Sequence, residues 1–347
     1  MKRNLILTLL AILFTCCTSS NKQMVDKHTT IDSTWQKQCT TILSDKMQEL
    51  DALYGDVIIM ECKTGEIKAM GCLAKDSKGN LVGSNRLAQA TGLMRSVSLL
   101  AALESGKINV DDHVDTKNGV IQLNNNLLRD HNWRRGGYGK ITIQNGFLKS
   151  SILSTYLTIE KAFGKQYASY CNMLDKMGYG LPKSIEGMDN LKEVEMSTPN
   201  NDMAFAQLAN GMHQQISSVQ LLTFYNAIAN GGTMVQPTLQ KNETTITIKD
   251  QMTSKENITL LQRLLSLHVA DGMSKKVASK KVGIAGDSGV TTEDTNMEDA
   301  LYTCQFCGYY PSDAPQYSII VTLNRKGIPA SGAMPCEVAK EIIEATL

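Results

Sequence analysis

The chain has 347 residues, enough for one or two domains with a large hydrophobic core. Hydrophobic residues make up 42% and charged residues 20%, a composition that is typical of globular proteins and excludes a long disordered chain. The formal net charge is +1, so the basic excess of a dedicated nucleic-acid-binding protein is absent, and we expect no nucleic-acid partner.

The beginning of the chain has the pattern of an export signal. Lys2 and Arg3 precede an apolar run, residues 5–15, that is too short to span a bilayer and is typical of a signal-peptide core. A polar stretch follows it. We therefore expect a lipoprotein-type signal peptide over residues 1–17 and a tether over residues 18–30.

Two adjacent cysteines follow the apolar run. The stretch LFTC, which ends at Cys16, resembles a bacterial lipobox, and either Cys16 or Cys17 fits as the lipidated residue. An ordinary secretory signal with incidental cysteines is the alternative. An acylated cysteine would hold the protein on a membrane surface without spanning it. We expect a bacterial cell-envelope protein that is lipid-anchored and faces the periplasm or the outside.

The first predicted element of the folded domain is a helix over residues 30–53. Its apolar side chains recur at helical spacing, at Leu43, Met47, Leu50 and Leu53. The next stretch, DVIIMECKTGEIKAMGCL, has two β-rich runs on either side of a turn, which predicts a β-hairpin.

A long and mainly helical region is predicted over about 92–270, with loops near 110–140 and 178–200. Three strands then follow, in KKVGIAGDSG, ALYTCQFCGYY and YSIIVTLN, and a last helix covers about 334–346. The two ends of the chain should therefore meet in one sheet. We predict an α/β fold of the α+β type over 31–347: a mostly antiparallel sheet from both chain ends, helices on its faces and a large helical insertion.

Seven cysteines lie beyond the anchor, and an odd number makes a poor disulfide framework. Cys304 and Cys307 have the spacing of a zinc or redox motif, but they lie in a predicted strand. Residues three apart on a strand point to opposite faces, so these two thiols are expected to pack rather than share a metal ion.

Several segments resemble the transpeptidase domain of penicillin-binding proteins, within the serine DD-peptidase and β-lactamase-like superfamily. The resemblance runs from about residue 54 to 345. It is carried by GDVIIMECKTGEIKAMG, SNRLAQATGLMRSVSLLAALESGKI, NGFLKSSILSTYLTI, KKVGIAGDSGVTT and, above all, FAQLANGMHQQISSVQLLTFYNAIANGGTMVQPTL. It implies the transpeptidase/β-lactamase-like fold and a site built from three motifs, S-x-x-K, S-x-N and K-T-G.

The S-x-x-K motif implies a serine nucleophile and a lysine base one helical turn later. The S-x-N motif implies a polar pair that transfers the proton and holds substrate, and the K-T-G motif implies a lysine on a strand that binds the substrate carboxylate. The corresponding positions here, in motif order, are Gly92, Arg95, Ser150, Ile152, Asp287, Ser288 and Gly289.

Four of these positions lack the chemistry that the resemblance implies. Gly92 has no side chain, and Arg95 stays protonated and is a poor base. Ile152 cannot form a side-chain hydrogen bond, and Asp287 repels the carboxylate that a lysine would attract. We expect no intact catalytic set, and we predict an ion pair between Arg95 and Asp287, because an unpaired buried charge is costly.

Other residues are poor candidates to replace the missing catalytic groups. The literal Lys63-Thr64-Gly65 lies in the hairpin turn, and the literal S-x-x-K at residues 19–22 lies in the tether. Thr91 is expected to cap the helix and Ser96 to pack. The histidines show no ligand spacing, so we expect no metal; they are His28, His113, His131, His213 and His268.

The sequence thus favours a catalytically inactive transpeptidase homologue without cofactors. Its expected partners are cell-wall synthesis proteins or the peptidoglycan stem peptide, together with the membrane through the lipid anchor. The alternatives are an active, penicillin-binding DD-transpeptidase or carboxypeptidase with an unrecognised nucleophile, and a β-lactam sensor or hydrolase, which would need the same missing groups.

Overall fold

The structure is a computed structural model. It describes residues 29–83, 93–186, 191, 193–212, 214–241, 244–292 and 299–347. Several residues singled out in the sequence lie outside these ranges: Cys16, Cys17, residues 19–22, His28, Thr91, Gly92 and His213.

The described residues contain twelve strands and nine α-helices. The strands are β1 Tyr54–Glu61, β2 Ile67–Lys75, β3 Leu81–Gly83, β4 His113–Asp115, β5 Val120–Leu123, β6 Asn126–Arg129, β7 Lys140–Thr142, β8 Met234–Val235, β9 Thr247–Lys249, β10 Ala285–Thr292, β11 Leu301–Tyr310 and β12 Tyr317–Lys326. The helices are α1 Ser33–Glu49, α2 Met94–Glu104, α3 Ile143–Leu148, α4 Ile152–Phe163, α5 Tyr167–Met177, α6 Asp202–Ala209, α7 Ser218–Ala229, α8 Lys255–Ala270 and α9 Ala333–Ala345.

The central sheet combines both ends of the domain, as predicted. Its strand order is β10-β11-β12-β1-β2-β3, and every neighbouring pair is antiparallel. Strand β1, from the beginning of the domain, pairs with β12, from its end, in a register that sets Tyr54 opposite Asn324. The predicted mixed fold with a large antiparallel sheet and helices is confirmed.

Two hydrophobic cores lie on the two faces of the sheet, because successive side chains of a strand point to opposite faces. On β1, Ile58 joins the core of the helical region, whereas Val57 joins the core under α1 and α9. On β11, Cys307 belongs to the first core and Cys304 to the second. The two thiols therefore pack on opposite faces, as the strand assignment predicts.

Two boundaries differ from the sequence-based expectation. The first helix begins at Ser33 and ends at Glu49, and Leu53 lies beyond its end and is 40% exposed. The sequence-based boundary extends to residue 53 because the apolar residues keep helical spacing beyond the last turn of the helix. The expected loop at 110–140 contains two short antiparallel pairs, β4 with β7 and β5 with β6. Such three- and four-residue strands carry too few side chains to show a period.

Within the described residues, every helix is too short or too polar to cross a membrane.

Candidate active-site cleft

Arg95 lies in the first turn of α2, a helix whose residues are buried from Met94 to Leu103. A helix that is buried on every side lies inside a core, so a guanidinium in its first turn needs hydrogen-bonding or charged partners nearby. Arg95 is only 6% exposed. Tyr225, from the buried helix α7, donates its hydroxyl to the Leu93 carbonyl at 2.9 Å and fixes the beginning of α2.

Asp287 reaches the same place from the sheet. It lies on β10 opposite Cys307 and is fully buried. Its Oδ1 is 3.5 Å from Arg95 Nη2, and its Oδ2 accepts a hydrogen bond from Ser96 Oγ at 3.0 Å. Arg95 Nη2 also donates to the Ser288 carbonyl at 2.8 Å. The structure thus brings Arg95 and Asp287 together and surrounds the carboxylate with donors.

His268 is a third member of this site. It lies near the end of α8, is fully buried, and its Nε2 is 3.4 Å from Asp287 Oδ1. The same nitrogen is 3.2 Å from Ser150 Oγ, and Nδ1 is 2.8 Å from Ser274 Oγ. Burial lowers the pKa of His268, with a smaller opposing effect from Asp287, so the imidazole is neutral at neutral pH.

The hydrogen-bond network assigns the proton on this neutral ring. Ser274 donates its hydroxyl to Ser288 Oγ at 2.9 Å, which leaves the Ser274 oxygen to accept a proton from His268 Nδ1. Nε2 then accepts from the Ser150 hydroxyl. We call Arg95, Ser96, Ser150, His268, Ser274, Asp287 and Ser288 the buried polar cluster, of which Ser150 is half-buried and the other six are buried.

Ser150 and Ile152, the expected S-x-N positions, flank the N-cap residue of α4. Ser150 has a positive φ of 51°, a region that non-glycine residues seldom adopt. Ser151 caps α4 by accepting from the Ser154 amide. Ile152 begins the helix, is half-buried and packs against the helical core, whereas Gly289 lies on β10 opposite Gln305.

The space next to Arg95 is small. A cavity of about 10 Å³ is lined by Arg95 and by residues of α2, α3 and α4, among them Leu99, Phe147 and Ser154. Among the described residues, Arg95 Nε has no hydrogen-bond partner. The cavity has room for about one water molecule, which could satisfy that donor, whereas small-molecule sites usually occupy about 300–1,000 Å³.

Two residues at this site make contacts that the sequence does not predict. The histidines show no ligand spacing in the sequence, yet His268 joins Asp287 to two serines. Ser96 was expected only to pack, yet it donates to Asp287. A signal for His268 existed in the sequence, because it is a polar residue in LLSLHVA at a position on the apolar face of α8.

The literal Lys63-Thr64-Gly65 lies between β1 and β2, in the hairpin turn where the sequence placed it. Gly65 has a φ of +76°, and an added Cβ there would lie 2.2 Å from the Gln236 carbonyl oxygen. The glycine of this motif is therefore required by backbone packing at the turn, far along the sheet from β10.

No group of three or more His, Cys, Asp or Glu side chains that could hold a metal ion occurs in the part of the chain that the structure describes.

Comparisons with known proteins agree with this architecture. The family model described as the penicillin binding protein transpeptidase domain matches residues 55–344. Penicillin-binding protein PbpB of Mycolicibacterium smegmatis is 24% identical over 333 residues, which cover 83% of this chain and 49% of that protein. Stage V sporulation protein D of Bacillus subtilis is 24% identical over 270 residues, which cover 72% of this chain and 41% of that protein. The chain spans less than half the length of each.

Solved structures show the same fold. A crystal structure described as a peptidoglycan glycosyltransferase from Burkholderia ambifaria has a TM-score of 0.77 at 21% identity and covers 92% of this chain and 96% of its own. The transpeptidase domain of penicillin-binding protein 3 from Burkholderia pseudomallei also has a TM-score of 0.77, at 20% identity, and covers 94% and 97%. From the family match over most of its length, this chain belongs to the family of penicillin-binding protein transpeptidase domains.

Proposed function

We propose that this chain is a catalytically inactive transpeptidase homologue, lipid-anchored at the bacterial cell envelope through Cys16 or Cys17. It acts by binding cell-wall synthesis proteins or the stem peptide of peptidoglycan rather than by acyl transfer. One observation carries the proposal: the buried pair of Arg95 and Asp287 lies where the sequence resemblance calls for a lysine base and a carboxylate-binding lysine.

The chemistry of the pair argues against acyl transfer. A general base must accept a proton, and the guanidinium of Arg95 already donates to Asp287 and to the Ser288 carbonyl. Asp287 carries a negative charge at the position where the resemblance implies a lysine for the substrate carboxylate. Separating the pair would leave each buried charge with neutral partners only, the Ser288 carbonyl for Arg95 and the Ser96 hydroxyl for Asp287, and breaking a buried pair costs about 3–5 kcal/mol.

The role in the cell wall rests on the family. Its relatives include a protein named for penicillin binding and one named for sporulation, and this chain matches less than half of the length of each. A binding role is supported by the contrast between fold and site. The domain has the fold of the family's solved structures, whereas its site positions carry Gly92, Arg95, Ile152 and Asp287.

The test is covalent labelling. The purified chain is incubated with a fluorescent penicillin, and its intact mass is measured. We expect no adduct. A quadruple variant, Gly92→Ser with Arg95→Lys, Ile152→Asn and Asp287→Lys, restores the motif residues and is expected to gain one adduct. A penicillin adduct on the unmodified chain would overturn the proposal.

A second candidate function, an active enzyme with an unrecognised nucleophile, is favoured by one contact. Ser150 Oγ lies 3.2 Å from His268 Nε2, and a serine next to a neutral imidazole is the arrangement of an activated nucleophile. Proton transfer to Nε2 would be stabilised by Asp287 Oδ1 at 3.4 Å. Against it, His268 is fully buried, so the serine hydroxyl is held toward the core.

The same assay separates the two candidates. If the unmodified chain gains a penicillin adduct that Ser150→Ala abolishes, the second candidate replaces the first. A matched variant, Ser151→Ala, removes a neighbouring hydroxyl that caps α4 and donates to Asp130, and it should leave such an adduct in place.

A further inference from the structure

A patch of exposed cations lies in the segment between β6 and α4. Arg129, Arg134, Arg135 and Lys149 are all exposed. Aromatic rings lie among them. The guanidinium carbons of Arg129 and Arg134 are each 5.2 Å from the ring centroid of Trp133, and Lys149 Nζ is 5.5 Å from that of Tyr138. We call these residues the basic rim: Arg129, Trp133, Arg134, Arg135, Tyr138 and Lys149.

The charge of the basic rim is not neutralised by its neighbours. Among the described residues, no carboxylate lies within 4.0 Å of any of its four cations. The acid within the segment, Asp130, points inward and accepts from Ser151 Oγ at 2.7 Å and from the Leu153 amide at 3.1 Å. Four exposed positive charges without counter-charges attract anions.

The rim is tied to the candidate cleft. The two hydrogen bonds of Asp130 fix the segment to the beginning of α4, one residue after Ser150 of the buried polar cluster. Lys149 directly precedes Ser150. His131 adjoins the rim, because its Nε2 lies 2.9 Å from the Tyr138 hydroxyl, and it follows Asp130 directly in the chain. A ligand on the rim therefore lies at the mouth of the site rather than on a remote face.

We propose that the basic rim is a binding surface for peptidoglycan, and that its arginines and lysine pair with the free carboxylates of the peptide stems. This inference rests on the proposed function. Asp287 stands where the resemblance implies a lysine that binds a carboxylate, and its own carboxylate repels such a group. We therefore assign carboxylate binding to the basic rim instead. Guanidinium groups suit it because they bind carboxylates through two parallel hydrogen bonds.

The aromatic part of the rim adds apolar contact to its charge. Trp133 is 38% exposed, and the neighbouring Leu127 is 47% exposed. An indole edge and an isobutyl group offer apolar contact to a sugar ring or a peptide side chain. An indole also inserts at lipid interfaces, so competition by soluble muropeptides and a separate test with anionic vesicles tell the two ligands apart.

The experiment measures co-sedimentation of the full chain, kept in detergent, with purified peptidoglycan sacculi. We expect retention that falls as salt rises and that soluble muropeptides compete away. The double variant Arg134→Glu with Arg135→Glu should lower the affinity by about tenfold, because two surface pairs become repulsive. Trp133→Ala should lower it as well.

The matched control reverses the same number of charges elsewhere. Lys37→Glu with Lys78→Glu changes two exposed lysines, in α1 and in the turn between β2 and β3, and should bind sacculi as the unmodified chain does. Vesicles that contain anionic phospholipid form a separate arm, in which we expect no retention that depends on the rim.

Three outcomes would overturn the inference: sacculus binding that the Arg134/Arg135 variant retains in full, an equal loss in the Lys37/Lys78 control, or rim-dependent binding to anionic vesicles without competition by muropeptides. These failures are distinct from failure of the proposed function, which is read from the penicillin adduct. A chain without adduct that binds sacculi independently of the rim loses only this inference.

Discussion

Arg95 and Asp287 are 192 residues apart in the chain, yet Arg95 Nη2 lies 3.5 Å from Asp287 Oδ1 in the interior of the molecule. One comes from the beginning of the insertion and the other from the first strand after it. The pair therefore joins the helical region to the sheet, at positions where the sequence resemblance implies catalytic groups.

Asp287→Asn should destabilise the fold strongly. The change leaves Arg95, only 6% exposed, without its counter-charge, and breaking a buried pair on one side costs about 3–5 kcal/mol. The double variant Arg95→Met with Asp287→Leu removes both charges and should cost much less than the sum of the single variants. Urea unfolding of Asp287→Asn, of the single variants Arg95→Met and Asp287→Leu, and of the double variant measures this.

The control for that series is the exposed pair of Lys161 and Asp112, whose Nζ and Oδ2 are 2.7 Å apart. Lys161→Gln should leave the free energy of unfolding nearly unchanged, because water screens the exposed pair. Equal costs for Asp287→Asn and Lys161→Gln would contradict a buried ion pair.

His268 should make stability depend on pH. Burial lowers its pKa in the fold below the ordinary value of 6.5, so the unfolded chain takes up the proton first as pH falls. The free energy of unfolding should therefore decline as pH falls from about 6.5 to 5, by at most about 1.4 kcal/mol per pH unit from this group. Above pH 5, carboxylates such as Asp112, with an ordinary pKa of 3.8, contribute little.

His268→Gln tests this attribution. The variant should show a shallower decline between pH 6.5 and 5 but not a flat one, since it lacks His268 and keeps His131, whose pKa is also lowered by burial. His113→Gln, at an exposed position on β4, should keep the full decline. Identical pH profiles for the unmodified chain and the His268 variant would show that the imidazole is not held neutral by burial.

Gly65 should be required for structure rather than catalysis. Gly65→Ala strains a backbone at φ +76° and drives a methyl group into the Gln236 carbonyl. Gly79 has a similar φ of +83° with nothing within 4 Å of an added Cβ. Gly79→Ala should therefore cost only the conformational strain of about 1–2 kcal/mol, and Gly65→Ala about 1–3 kcal/mol more. Equal thermal shifts in the two variants would refute the close approach.

The described cysteines should be unreactive in the folded protein. All seven are free and buried. Burial raises the pKa of Cys39, Cys62 and Cys336 to about 12, and that of Cys304 to about 11, so thiolates are scarce at pH 8. Iodoacetamide should alkylate these sites only after denaturation, as read by peptide mapping. Fast alkylation of any of the seven in the native protein would show local opening.

The sheet could be predicted from the sequence because its information is local. Alternating apolar runs mark each long strand, and the order of strands along the chain leaves few ways to combine them. Cys304 and Cys307 were likewise placed on opposite faces by strand geometry alone. The short strand pairs β4 with β7 and β5 with β6 could not be predicted, because strands of three or four residues show no detectable period.

The buried polar cluster could be predicted only in part. The family resemblance located Arg95 and Asp287, and the cost of a buried charge suggested that they pair. His268 and Ser274 reach the same point from α8 and the turn after it, and no local pattern encodes that long-range contact. A histidine on the apolar face of a helix signals a buried partner but does not identify it.

The intact mass of the purified chain after incubation with a fluorescent penicillin tests the central claim most directly. With Gly92 at the nucleophile position and Arg95 held by Asp287, the mass should equal that of the untreated chain. A mass increase by one penicillin molecule, mapped to any side chain, would contradict the claim.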